Sequence, residues 1–198
     1  MSKALDRFKR PTRKSNIRIS KPTFQPEKFR EVILYILDKT GDLSEIELEE
    51  ILYFIDFDYY QVVEEHLTGA TYKKEWLCAS TSKLKPALKE LIKLGAIEKG
   101  KVGYISLKKP DLSLFNKGEK FMLGEVTEHY FKGPGRMQNP STDVPVIVTQ
   151  PNCRINYESV FYRTPSFCAR ERLYEKSKAL EKQVKTQSKA IKNNMMNF

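Results

Sequence analysis

From residue 26 to residue 131, apolar side chains recur at three- and four-residue intervals, and the pattern is interrupted at glycines. That spacing predicts helices that each bury one face. Pro26 suits the first turn of a helix whose apolar face is Phe29, Val32, Ile33, Ile36 and Leu37, and Gly41 ends it. A longer helix is predicted over about 45–66. Ser44 stands at its N-cap, with Glu47 three residues on to complete a capping box. Ile46, Leu48, Ile51, Leu52, Ile55 and Tyr59 make its apolar face. Tyr53, Phe54, Phe57 and Tyr60 widen that face until little of the helix is free of protein contact. This helix is the expected centre of the core. Gly69 suits a left-handed backbone beyond its end.

Residues 70–77 read as extended. Thr81 or Ser82 is placed to cap a third helix over 83–94, with Leu84, Ala87, Leu88, Leu91, Ile92 and Leu94 facing inward and Gly95 stopping it. Residues 96–107 read as a hairpin turning at Gly100-Lys101. Another helix is predicted from Phe115 to Phe131, broken by Gly133-Pro134-Gly135. Residues 134–152 are rich in Pro, Asn and Ser and read as a loop wrapping the domain, with one extended run from Val144 to Thr149. Cys168 to Ile191 reads as a charged helix with a thin seam of Leu173, Leu180, Val184 and Ile191. The fold class expected from these elements is mainly α with a small β component (α+β). Residues 1–23 form a basic flexible arm, 24–166 the domain, and 167–198 a charged helical tail.

Four segments of the domain resemble, in order, the Panacea domain of SocA-like antitoxins. The first is Ile51-Leu52-Tyr53-Phe54-Ile55-Asp56-Phe57 with Tyr60, followed by Thr68-Gly69-Ala70-Thr71-Tyr72. The second is the helix Leu84 to Leu94 ending in Gly95-Ala96-Ile97. The third is Phe115-Asn116-Lys117-Gly118-Glu119, and the fourth is Ile155-Asn156-Tyr157-Glu158-Ser159-Val160-Phe161-Tyr162-Arg163. Two segments depart from the family pattern. Trp76 to Ser82 stands where the family has a Gly-Pro-Val turn, and Asn139 to Pro145 lacks the family's Ser-His. The resemblance implies a cytoplasmic antitoxin that neutralises a cognate toxin by direct binding, with no catalytic residues and no cofactor.

The charge distribution bears on that expectation. The net charge of +10 is concentrated at the ends, +8 over residues 1–30 and +5 over 169–198, so residues 31–168 carry −3. A dedicated nucleic-acid domain would carry its basic stripe on the folded surface. Weak nucleic-acid contact through the ends is what this distribution allows. Cys78, Cys153 and Cys168 are odd in number and widely separated, with no CxxC or Cys/His cluster, which points to reduced thiols and no zinc site. No apolar run approaches the roughly 18 residues of a membrane span, and no secretion signal is recognisable, so no membrane partner is expected.

The candidate chemistry is sparse. Asp56 and Asp58 are two apart on one helix and point in different directions, poor geometry for a shared proton or a metal. A structural hydrogen bond to a nearby turn suits Asp56. His66 and His129 each fall near a helix end, where a cation is favoured. Gly95, Gly100 and Gly103 match no phosphate-loop spacing and read as turn residues. For partner binding the candidates are Tyr59, Tyr60, Tyr72 and Trp76, because Tyr and Trp anchor interfaces. The same tyrosines also suit core packing. Lys83, Lys85, Lys89 and Lys93 line the exposed side of the third helix, which together with the hairpin resembles a winged helix. They are the candidate nucleic-acid contacts of an alternative, a DNA-binding regulator; a solvated helix face is the simpler account of them, and the helix carries no Arg for bidentate base contacts. A phage or mobile-element protein that binds a host factor is a further alternative.

Overall fold

The computed structural model describes residues 21–75, 78–131 and 139–163. Its elements are α1 (Pro26–Thr40), α2 (Glu45–Val63), β1 (Lys73–Lys74), β2 (Ala79–Ser80), α3 (Leu84–Lys93), β3 (Ile97–Lys99), β4 (Tyr104–Ser106), α4 (Lys117–Phe131), α5 (Val144–Ile147) and a closing 3-10 segment, Tyr157–Tyr162. The fold is mainly helical with two antiparallel two-stranded hairpins, β1–β2 and β3–β4. The predicted arm up to residue 20, Trp76, Gly133-Pro134-Gly135 and the predicted tail helix lie outside the described residues.

α2 is the axis. Every residue from Ile51 to Gln61 is buried, so the helix is enclosed on all sides rather than amphipathic. α1, α4, β2 and the closing 3-10 segment all pack on it. Its start follows the sequence reading. The Ser44 hydroxyl accepts from the Glu47 N–H, and the Glu47 carboxylate accepts from the Ser44 N–H at 2.9 Å. Its end does not. The helix stops at Val63 because Glu64 turns left-handed, with φ of 63°. Ile46, assigned to the apolar face, is 63% exposed in the first turn, before the enclosing elements begin.

α1 has the predicted bounds and buries Phe29, Val32, Ile33, Leu34, Ile36 and Leu37. α4 starts two residues later than predicted, at Lys117. Asn116 caps it: the Glu119 N–H donates to Asn116 Oδ1 at 2.9 Å, and the Asn116 N–H donates to Glu119 Oε2 at 2.8 Å. The β3–β4 hairpin pairs Ile97 with Ser106 and Lys99 with Tyr104. Its loop is fastened by Asp42, whose carboxylate accepts from the N–H groups of Lys101, Val102 and Gly103 at 2.6, 2.9 and 2.8 Å. Those bonds, with the Lys101 charge, outweigh desolvation and hold the Asp42 carboxyl below its usual range. Gly103 passes so close to α2's entry that a Cβ there would lie 1.7 Å from the Leu43 carbonyl oxygen.

The extended reading of Val144 to Thr149 is corrected. Val144–Ile147 is one helical turn, with Pro145 in its first positions and the Val148 N–H bonded to the Val144 carbonyl at 3.0 Å. Proline is preorganised for a first helical turn and has no N–H to leave unpaired there.

Candidate functional site

α2 carries two buried carboxylates, each at the centre of a polar network. Asp56 accepts from the Thr68 N–H at 3.0 Å, the Thr68 hydroxyl at 2.6 Å and the Tyr72 hydroxyl at 2.8 Å. These bonds tie the turn after α2 back onto the helix, the structural role expected for Asp56. Burial pushes its carboxyl up to about 6, against the pull of the bonds from Thr68 and Tyr72. Burial likewise raises the Tyr72 and Tyr157 phenols well above their ordinary value, so both remain hydrogen donors.

Asp58 meets Arg163, the last described residue of the chain, and both are buried. The Arg163 guanidinium also grips Asp143 through two nitrogens, Nε at 2.8 Å and Nη2, and donates to Gln61 at 3.0 Å. The Tyr53 hydroxyl donates to Asp143 at 2.7 Å. Burial alone would lower the Arg163 pKa; Asp58 and Asp143 outweigh it and raise the value well above normal. This cluster joins α2, the turn before α5 and the end of the 3-10 segment. Sequence reasoning gave Asp143 and Arg163 no role. The available signals were the place of Arg163 at the end of the fourth Panacea-like segment and of Asp143 at the start of the apolar run Val144 to Val148.

Of the two roles open to Tyr59, Tyr60 and Tyr72, partner contact and core packing, burial places their side chains in the core. Tyr59, Tyr60 and Tyr72 are 3%, 3% and 1% exposed, because α2 is enclosed all round. They form the core with Tyr53, Phe57 and Tyr157. Phe57 and Tyr157 stack at 4.2 Å, and Tyr72 meets Tyr53 edge-on at 5.7 Å. Burial beside Glu119 and Glu65 pushes the Tyr59 phenol up to about 12. Trp76 lies outside the described residues.

Tyr60 nevertheless lines a cavity of about 270 Å³ together with His66, Tyr157, Arg154, Glu158 and Lys21. His66 stacks on Tyr60 at 4.8 Å and meets Tyr157 edge-on at 4.6 Å. The Tyr60 hydroxyl donates to Glu158. A second cavity, of about 330 Å³, opens between α1 and α4 and is lined by Tyr35, Lys39, Lys120, Thr127 and Glu128 among others.

The four lysines of the third helix do not act as one set. Lys83 sits over the Phe24 ring at 5.0 Å, and Lys85 pairs with Glu45 at 3.6 Å. Lys89 and Lys93 are exposed and make no ion pair among the described residues. Among the described residues no helix is long and apolar enough to cross a membrane, and no group of three His, Cys, Asp or Glu is placed to hold a metal. Large apolar side chains stand exposed at Ile147, Val148 and Tyr162, on α5, its C-cap and the 3-10 segment packed against it. The chain matches no family model, no curated protein and no solved structure.

Proposed function

We propose that this protein is an antitoxin-like binding module that neutralises a partner toxin by direct contact. The four ordered Panacea-like segments over 44–163 support that reading. The structural observation that carries it furthest is the exposure of Ile147, Val148 and Tyr162, at 58%, 61% and 70%, on elements that pack against one another. Large apolar and tyrosyl side chains on a braced surface are what a partner desolvates on binding. The buried ionisable groups, by contrast, are engaged in holding the scaffold together, and binding asks nothing more of them.

The test is co-expression with the neighbouring open reading frame. A small adjacent gene should be toxic alone and tolerated with this protein. The double variant Val148→Asp and Tyr162→Asp should lose protection and complex formation while keeping the parental melting temperature. Full protection by that variant, or a harmless neighbouring gene, defeats the reading.

The second reading, a DNA-binding regulator, is supported by Lys89 and Lys93, exposed on α3 beside a hairpin whose loop is pinned by Asp42. Its test is the salt dependence argued in the Discussion.

A further inference from the structure

We propose that the cavity floored by Tyr60, His66 and Tyr157 binds a carboxylate, gripped by Arg154 and Lys21. The inference is independent of the antitoxin reading and rests on how the cavity is built.

Its walls are braced. On one side, the segment before α1 is fastened to the turn after α2 by the Gln25 N–H, which donates to the Thr68 carbonyl at 2.8 Å. Gly69, at φ of 67°, lets the two chains touch: a Cβ there would fall 2.0 Å from the Thr23 carbonyl oxygen. On the other side, the Ile155 N–H donates to the Tyr72 carbonyl at 2.9 Å, and the Tyr157 hydroxyl donates to the Ala70 carbonyl at 2.7 Å. Both walls thus hang on the segment that Asp56 anchors through Thr68 and Tyr72. A site fixed in this way loses little order when it binds.

Its electrostatics are unbalanced. Glu158, the one acid in the lining, accepts the Tyr60 hydroxyl. Lys21 and Arg154 form no ion pair among the described residues. Two cations against one engaged carboxylate leave the cavity positive. Arginine's planar fork matches a carboxylate with two parallel bonds. The ring cluster beneath offers aromatic surface to the carbon skeleton that carries the acid. The cavity's 270 Å³ lies just below the usual range of drug-sized ligand pockets. It suits one ring or one side chain, so the ligand is a single aromatic or aliphatic acid, free or at the end of a partner's chain.

The experiment uses the full-length protein and NMR titration with benzoate, with benzamide as the uncharged control. Benzoate should saturate and move the His66 and Tyr157 ring resonances, and benzamide should not. Arg154→Ala should weaken benzoate at least tenfold. Arg154 is exposed, so that variant should melt with the parent, and Lys21→Ala should give a smaller loss at an equally exposed site. A peptide ending in a free C-terminal Phe, compared with its C-terminal amide, identifies the source. Tighter binding of the acid peptide than of benzoate assigns the site to a partner's chain end. Tighter binding of benzoate assigns it to a free acid. Absence of saturation by either acid, or unchanged affinity in Arg154→Ala, overturns the proposal. Because the readout involves no toxin, its failure and failure of the antitoxin reading are separate results.

Discussion

Asp56 and Asp58 lie two residues apart on one helix, both are buried, and they are held in opposite ways. Asp56 is surrounded by neutral donors that arrive within sixteen residues along the chain: the Thr68 N–H, its hydroxyl and the Tyr72 hydroxyl. Asp58 is held by a guanidinium 105 residues away, which also clamps Asp143. The first network closes a turn. The second closes the chain onto itself. In the first network burial dominates and lifts the carboxyl; in the second the neighbouring Asp58 and Asp143 overcome burial and lift the Arg163 guanidinium. One helix thus carries a local latch and a long-range clasp, and the two should fail differently.

The clasp should show the larger effect. Arg163→Ala leaves Asp58 and Asp143 buried without their cation, which costs about 3–5 kcal/mol when one partner of a buried ion cluster is removed. That is a large share of the stability of an ordinary domain. Urea unfolding of the variant should show a much lower midpoint, and the α5 region should lose hydrogen-exchange protection first. A midpoint within about 1 kcal/mol of the parent would show that the clasp is dispensable. Replacing Asp58, Asp143 and Arg163 together by apolar residues should recover much of the loss, because no buried charge is then stranded.

The latch should respond more mildly, and with an unusual sign in pH. An unfolded aspartate titrates near 3.8, whereas the folded Asp56 carboxyl titrates near 6. Between those values the folded protein holds a proton that the unfolded chain has released. The contribution of Asp56 is therefore greatest below about pH 4, falls as the pH rises to about 6, and is level beyond. The change amounts to roughly 2–3 kcal/mol at about 1.4 kcal/mol per pH unit. The difference in unfolding free energy between the parent and Asp56→Asn should shrink or reverse across that window. A difference that is flat from pH 4 to pH 7 would show that the hydrogen bonds outweigh burial. Thr68→Val, which deletes one donor to Asp56, should cost about 1–3 kcal/mol by leaving a buried acceptor short.

The same contrast explains what could be read in the sequence. The Ser44–Glu47 box, the bounds of α1, the β3–β4 hairpin and the tie from Asp56 to its turn all depend on residues close in sequence, and each was legible. The Asp143–Arg163–Asp58 clasp was not, because no periodicity links an Asp, an Arg and a helix separated by up to 105 residues. Asp143 lies in the segment that departs from the Panacea pattern by lacking a histidine, so the resemblance assigns it no role. The tyrosines stay open between two roles in the sequence for a related reason. A helix apolar all round shows that it is enclosed, yet periodicity cannot say which hydroxyls find internal partners. The four residues of α5 are too few to show a helical period, so the apolar run Val144 to Thr149 looks extended in sequence.

The smallest expected effect concerns the surface lysines, and it decides between binding partners. If α3 were a recognition helix, Lys83, Lys85, Lys89 and Lys93 would neutralise phosphates, and duplex affinity would fall with salt at a log–log slope of about −0.9 per phosphate. Two of the four are already engaged, Lys83 with the Phe24 ring and Lys85 with Glu45. The surface pair with Glu45 contributes little to stability, yet it offsets part of the positive field at that end of the helix. Lys89 and Lys93 alone would give a slope near −2 by the same per-phosphate value. Residues 31–168 carry a net −3, which opposes even that contact. Duplex binding by the whole protein should therefore be sequence-indifferent and should come mostly from the basic ends. Lys89→Glu with Lys93→Glu should change it by less than a factor of about 3, well under the tenfold that 1.4 kcal/mol represents. Removing residues 1–20 should reduce it far more. Tight, sequence-selective binding that survives this truncation and is lost in the Lys89→Glu, Lys93→Glu variant would make α3 the functional surface, and the exposed apolar side chains of α5 and the 3-10 segment would then have no claim to the partner.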